Sequence, residues 1–196
     1  SFGVAIVATI VSLILGTLCA LALQRYDFFG KSAINMLVIL PIALPGIVTG
    51  IALNNAFTTM VGIKLSMFTL IVAHVTFTIV TVYNNVFARL GQLGQHTEEA
   101  SADLGAGVWT TFRLVTFPRI KSSLFAGGLL AFALSFDEIV VTTFTAGQDI
   151  TTLPIWIMNN MFRPHQAPVV SVVAVIMVVI SLVPLWLSQR VASDID

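Results

Sequence analysis

Asp137 and Glu138 are adjacent carboxylates inside an otherwise apolar run, Ser122–Phe144. An ionised side chain at the centre of a bilayer costs about 2.5–3.5 kcal/mol on insertion scales, so such residues face a cavity or a partner. A carboxylate pair binds ammonium groups through charge-assisted hydrogen bonds. The alternative is a structural or gating role, for example an ion pair with Arg163. Counted from Ser122 at 1.5 Å per residue, Asp137 lies about 22 Å along the run, in its outer third. No basic residue lies within any of the long apolar runs, which favours a cation over an anion as cargo. His74 sits in the middle of another run, near Thr76, Thr78 and Thr81, as a packing residue or as part of a path. His96 and His165 fall in loops at opposite ends and cannot join it. Asn54, with Asn55, either lines an entrance or caps a helix.

Other chemistry is missing from the sequence. There is no G-x-x-x-x-G-K-[ST] loop to cradle nucleotide phosphates. No Ser/His/Asp or Cys/His nucleophile arrangement and no metal-spaced cluster is present. The chain is therefore expected to be no enzyme and to bind no cofactor or metal itself. Cys19, the one cysteine, lies in an apolar run and reads as a small packing residue.

The elements that must position these residues are membrane helices. The 196 residues are 57% hydrophobic and 9% charged, with a formal net charge of zero and a mean hydropathy of +0.99. Soluble domains are near a quarter charged, and nine basic residues against nine acidic ones leave no face for nucleic acid. About five runs have the roughly 20 residues needed to cross a ~30 Å hydrocarbon core: Phe2–Leu23, Ile34–Phe57, Met67–Ala88, Ser122–Phe144 and 168–188. They are too long and too evenly apolar for barrel strands. The fold class expected is an all-α polytopic bundle, one transmembrane domain over residues 1–196 with membrane lipid around it. Seven of the nine basic residues (Arg25, Lys31, Arg89, Arg113, Arg119, Lys121 and Arg190) fall on one side, which the positive-inside rule makes cytoplasmic. The first run begins on the other side, so a preceding span is expected. Pro41, Pro45 and Gly46 interrupt the second run and predict a kinked helix, lining a pore or packed at an interface. Gly127-Gly128 with Ala126, Ala131, Ala133 and Ser135 gives the fourth run a surface for close helix approach. On the outer side, Leu153-Pro154 opens a short helix carrying Trp156 and ended by Arg163-Pro164.

Residues 89–121 form a polar island on the cytoplasmic side. Thr97 is a candidate N-cap, with Glu98 and Glu99 in the first turn, where the helix dipole favours negative charge. Ala100, Ala102, Asp103 and Leu104 follow, and Gly105 ends the helix before Ala106. A second short amphipathic stretch, Val108–Phe117, is expected to stop at Pro118. Two short helices with a glycine elbow make a knob that either connects spans or receives a partner.

The order Glu99-Ala100-Ser101-x-x-x-Gly105, followed by Val115-Thr116-Phe117-Pro118, resembles the "EAA" loop of ABC importer permeases, E-A-A-x-x-x-G then I-x-L-P. Ser101, Val115 and Phe117 depart from that pattern within their size or polarity class. Ala22–Lys31 and Ser135–Phe144, with Gly147 and Leu153-Pro154, are similar to segments of spermidine/putrescine permeases. The resemblance covers nearly the whole chain, from that family's second span onward. It implies a type I importer permease in a bacterial inner membrane, making its path with a second, paralogous permease. A separate ATPase dimer, carrying ATP-Mg, would grip Glu98, Glu99, Ala100, Asp103, Gly105, Ala106 and Pro118. An extracytoplasmic binding protein would deliver the cargo, a polyamine by this resemblance. Ferric-ion or sulfate permeases are the near alternative; an ion-coupled transporter or a channel is a more distant one.

Overall fold

The computed structural model describes residues 1–163 and 165–193, and among these there are helices and no strands. Three helices are long and apolar enough to cross a membrane. They are α1 (Phe2–Arg25), α4 (Met67–Leu93) and a 29-residue helix from Val108 to Phe136. They pack on one another along small residues. A Cβ on Gly16 of α1 would lie 3.0 Å from the carbonyl oxygen of Ile79, and one on Gly127 would lie 3.4 Å from the Val82 backbone. Close backbone approach of this kind is what holds helices together where lipid is as apolar as their side chains. Leu23, Val82, Tyr83, Val86, Leu90, Ile120 and Ala131 fill the cytoplasmic half of this core.

The second apolar run is interrupted at Pro45 and Gly46, as two helices rather than one kinked helix. Helix α2 (Lys31–Ala43) and helix α3 (Gly46–Asn55), which continues as a wide turn to Met60, meet at 110°. Proline has no N–H and forces its predecessor out of the helical region. Leu44 accordingly has φ −85°, ψ 142°, and Pro45 has ψ 133°. Two consecutive extended residues reverse the chain instead of bending it. Pro41, by contrast, stays within α2.

The fourth run is also divided, and it starts earlier than expected. The stretch from Val108 does not stop at Pro118. Helix α6 (Val108–Thr111) passes through a wide turn at Phe112–Thr116 into α7 (Phe117–Phe136). The Phe117 N–H bonds to the Phe112 carbonyl five residues back. One extra residue in the turn accommodates the proline ring and its missing donor without ending the helix. At its other end the helix closes at Phe136, three residues leave the axis, and α8 (Val140–Thr145) begins. The β-branched run Ile139–Thr143 gives little support to a continuous helix there.

The two interrupted spans meet through their second halves. Gly46 lies against Val140 and Gly50 against Phe144, and Asn54 Nδ2 donates to the Phe144 carbonyl at 2.6 Å. The Gly-x-x-x-Gly spacing of α3 provides the close face and Asn54 the directed bond. Helices α9 (Leu153–Asn160) and α10 (Ala167–Ser193) complete the chain, and α10 packs along α7 through Phe136 and Met177. Pro164, the expected stop after the outer helix, lies outside the described residues.

Candidate functional site

The knob is built from local signals and then tied to the bundle. Helix α5 (His96–Asp103) begins on Gln95, whose carbonyl accepts from the Glu98 and Glu99 N–H groups. Thr97 is not its cap; its hydroxyl accepts from Arg119 instead. At the other end the Gly105 N–H bonds to Ala102 at 2.8 Å and the Ala106 N–H to Ser101 at 3.1 Å. Gly105 has φ +81°. This is the left-handed stop that satisfies the last carbonyls of a helix and favours glycine. Ser101 and Thr111 are joined through their hydroxyls at 3.0 Å, which clasps α5 to α6.

Of the two acidic residues, Glu98 faces inward. Its carboxylate accepts from Arg25 Nη2 on α1 at 3.0 Å and from the Thr116 hydroxyl at 2.8 Å, and Arg25 Nε lies 2.8 Å from it as an ion pair. With these side chains only 11% and 22% exposed, the ion pair joins the end of α1 to the knob. Gln95 Nε2 also reaches the Gln24 carbonyl at 3.3 Å. Glu99 points away and lies 3.5 Å from His96. Around it the knob presents bare apolar side chains: Leu104 is 89% exposed and Trp109 72%. Behind this face, a cavity of about 580 Å³ lies between Leu18, Leu21 and Arg25 of α1 and Ala102, Ala106 and Trp109 of the knob.

The acidic pair sits at the opposite end of the α6–α7 helix, and the structure gives the two carboxylates different work. They are not inside a continuous span, as expected, but in the corner between α7 and α8. Glu138 Oε1 accepts from the Val141 N–H at 2.8 Å and so caps α8. Asp137 is exposed and, among the described residues, has no cationic partner, Arg163 included. It borders a cavity of about 600 Å³ between α7, α9 and α10, which Glu138 also lines, with apolar walls that include Leu134, Ile157, Met177 and Val178. Ser181 opens on the same cavity, and its hydroxyl is buried without a hydrogen-bond partner. An exposed carboxylate, with a second one engaged as a helix cap beside it, on an otherwise largely apolar cavity suits a cation carried on a methylene chain.

His74 does not open on a path. It is 1% exposed, and both ring nitrogens are bonded within the chain, Nδ1 with Ser135 Oγ at 2.7 Å and Nε2 with Thr142 Oγ1 at 2.9 Å. Asn54 is likewise engaged between helices, by its bond to Phe144. Pro41, Pro45 and Gly46 lie on α2 and at the start of α3, and Gly46 packs against Val140 of α8. Of the expected path residues, Asp137 and Glu138 border one cavity, His74 ties the corner that presents them, and Asn54 ties the far end of α8 to α3. Ser135, read from the sequence as a small residue for helix approach, and Thr142 complete that corner.

Comparison with known proteins places this architecture. A family model described as "Binding-protein-dependent transport system inner membrane component" matches residues 12–196. The spermidine/putrescine transport system permease protein PotC of Haemophilus influenzae is 35% identical over 191 residues, which is 97% of this chain and 74% of that protein. The putrescine transport system permease protein PotI of Escherichia coli is 33% identical over 167 residues, covering 82% of this chain and 59% of the relative. The sulfate transport system permease protein CysT of the same species is 32% identical over 198 residues, with coverages of 93% and 70%. With a match over almost its whole length, a knob closed by Gly105 and several apolar spanning helices, the chain belongs to the inner-membrane permease components of binding-protein-dependent ABC import systems.

Proposed function

We propose that this permease carries polyamines across a bacterial inner membrane. Asp137, exposed on an apolar cavity of about 600 Å³, is the observation that carries the reading. The carboxylate takes one ammonium group by a charge-assisted hydrogen bond, and the apolar walls take the methylene spacer. Relatives named for spermidine and putrescine transport support the same cargo. A sulfate permease is also among the relatives, but a doubly negative cargo would meet the Asp137 carboxylate in a cavity whose lining includes no basic residue among those described.

The path forms between this chain and a second permease, and an external binding protein delivers the cargo. Energy comes from a separate ATPase dimer that holds ATP-Mg and grips the knob. The exposed Leu104 and Trp109 seat on it, and Glu99, Ala100, Asp103 and Gly105 set the knob's face. Arg25–Glu98 and Thr116–Glu98 make the knob move with the ends of α1 and α7 rather than as a loose loop. Closure of the ATPases then shifts α4 and the α6–α7 helix, which flank the knob, and the corner at the far end of α7 moves with them.

The test is uptake of labelled putrescine and spermidine, against labelled sulfate, in vesicles containing the complete complex with ATP supplied on the cytoplasmic side. Saturable, ATP-dependent uptake of a polyamine and none of sulfate is expected. ATP hydrolysis with uptake of sulfate alone would overturn the cargo.

A further inference from the structure

The corner that presents Asp137 is held by one buried side chain, and the hydrogen-bond partners of that side chain fix its chemical form. The Thr142 hydroxyl donates to the Glu138 carbonyl at 2.9 Å. A hydroxyl has one proton, so toward His74 Nε2 the Thr142 oxygen is an acceptor, and Nε2 carries the proton. In the neutral ring Nδ1 is then unprotonated and accepts from the Ser135 hydroxyl at 2.7 Å. The same turn of α4 is anchored from behind. The Thr78 hydroxyl donates to the His74 carbonyl at 2.8 Å, and Ser12 of α1 donates in turn to Thr78 at 2.7 Å. The imidazole thus touches Ser135, two residues before Asp137, and Thr142, five after it. Through Thr142 it reaches the Glu138 carbonyl itself.

We propose that His74, as the neutral Nε2–H tautomer, is the positioning residue that sets the geometry of the Asp137–Ile139 corner. It spans the break between α7 and α8 and fixes both segments against α4, the helix that leads directly to the knob. A rigid ring with one donor and one acceptor holds the two hydroxyls at a set separation; a packing residue of the same volume does not. Helix α8 has only six residues, too few to hold itself. Its other tertiary side-chain bonds, from Asn54 to Phe144 and from Thr69 to Thr145, both lie at its far end. His74 is the tie at the Asp137 end. Its effect on transport rests on the reading that Asp137 faces the cargo; its hydrogen-bond path does not.

The test uses the complete importer in lipid vesicles, with this chain alone labelled with 15N-histidine. The His74 signal is assigned by its loss in His74→Leu. An unprotonated Nδ1 with a protonated Nε2 is expected in the wild type, loss of that single-tautomer signature in Thr142→Val, and its return in Thr142→Ser. In the same preparations the KM for labelled putrescine should rise roughly tenfold in Thr142→Val, the equivalent of one buried hydrogen bond, and return in Thr142→Ser, with complex assembly unchanged. A charged ring or an Nδ1–H ring in the wild type would overturn the proposal. So would a wild-type KM in Thr142→Val, or a failure of serine to restore it. Wild-type complex that hydrolyses ATP but takes up no polyamine would overturn the cargo instead, because the ring signature is read without any cargo.

Discussion

The knob and the acidic corner occupy opposite ends of the same long helix and are stabilised in opposite ways. The knob takes its own shape from neighbours in sequence, a glycine stop, a hydroxyl clasp and a helix start within the polar island, and long-range bonds such as Arg25–Glu98 only tie it to the bundle. Its apolar side chains are left bare. The corner is closed by residues far apart in sequence. His74 reaches Ser135 and Thr142 across separations of 61 and 68 residues, its polar groups are buried, and it leaves one carboxylate bare. The knob combines a locally fixed backbone with exposed apolar area, which suits the proposed seat for the ATPase. At the corner, Glu138 is engaged by the Val141 N–H and Asp137 is the carboxylate left without a partner among the described residues.

The largest predicted effect breaks the knob. A Cβ at Gly105 would meet nothing within 4 Å, so the demand there is conformational, set by φ +81°. Gly105→Val is expected to lower uptake by more than roughly tenfold per ATP hydrolysed while the chain still inserts, since a β-branched residue in that region costs at least about 1–2 kcal/mol. Gly105→Asn, which tolerates the left-handed conformation, is expected to stay near wild type. Equal loss in both variants would mean that space, not backbone conformation, is what the position provides.

Next in size, the two glutamates of the knob should separate. Glu98→Ala leaves the Arg25 guanidinium largely buried and without its carboxylate, at a cost of about 2 kcal/mol, read as a lower melting temperature of the purified complex. Glu99→Ala, on the exposed side, is expected to leave the melting temperature unchanged and to weaken coupling to the ATPase. If both variants melt alike, the inward and outward roles are wrongly divided.

The smallest effect belongs to the turn between α1 and α2. Lys31 lies 2.8 Å from Asp27, and its hydrogen bond and charge hold the Asp27 carboxyl below the ordinary aspartate range. Because the folded-state value is the lower one, the pair stabilises above about pH 4 and fades as pH falls through the folded value. The pair is exposed, so Asp27→Asn should change the melting temperature little at neutral pH, and added salt should erase the difference. A large change at neutral pH would contradict this.

The same contrast explains what the sequence allowed to be read. Glu98, Glu99 and Gly105 could be placed because helix starts and stops depend on near neighbours. Even so, the cap falls to Gln95 rather than Thr97, since Thr97 is taken up by Arg119 from another helix. Pro118 misleads for a physical reason: a widened turn at Phe112–Thr116 absorbs a proline that would otherwise end the helix. Pro45 indicates an interruption, but the 110° reversal depends on Leu44 and Pro45 both becoming extended. The corner is least legible. Asp137 and Glu138 look equivalent in the sequence, and only the Val141 N–H separates the cap from the free carboxylate. His74 reads as a candidate path residue until its two partners, on other helices, are in place.

The kinetics of labelled putrescine uptake by the complete complex carrying Asp137→Asn, beside wild type and Glu138→Gln, bear most directly on the acidic corner. A KM raised about tenfold is predicted in Asp137→Asn, the equivalent of removing one charge-assisted hydrogen bond. A smaller rise is predicted in Glu138→Gln, whose amide oxygen still caps Val141. A wild-type KM in Asp137→Asn with full assembly would contradict this and remove the acidic corner from the cargo path.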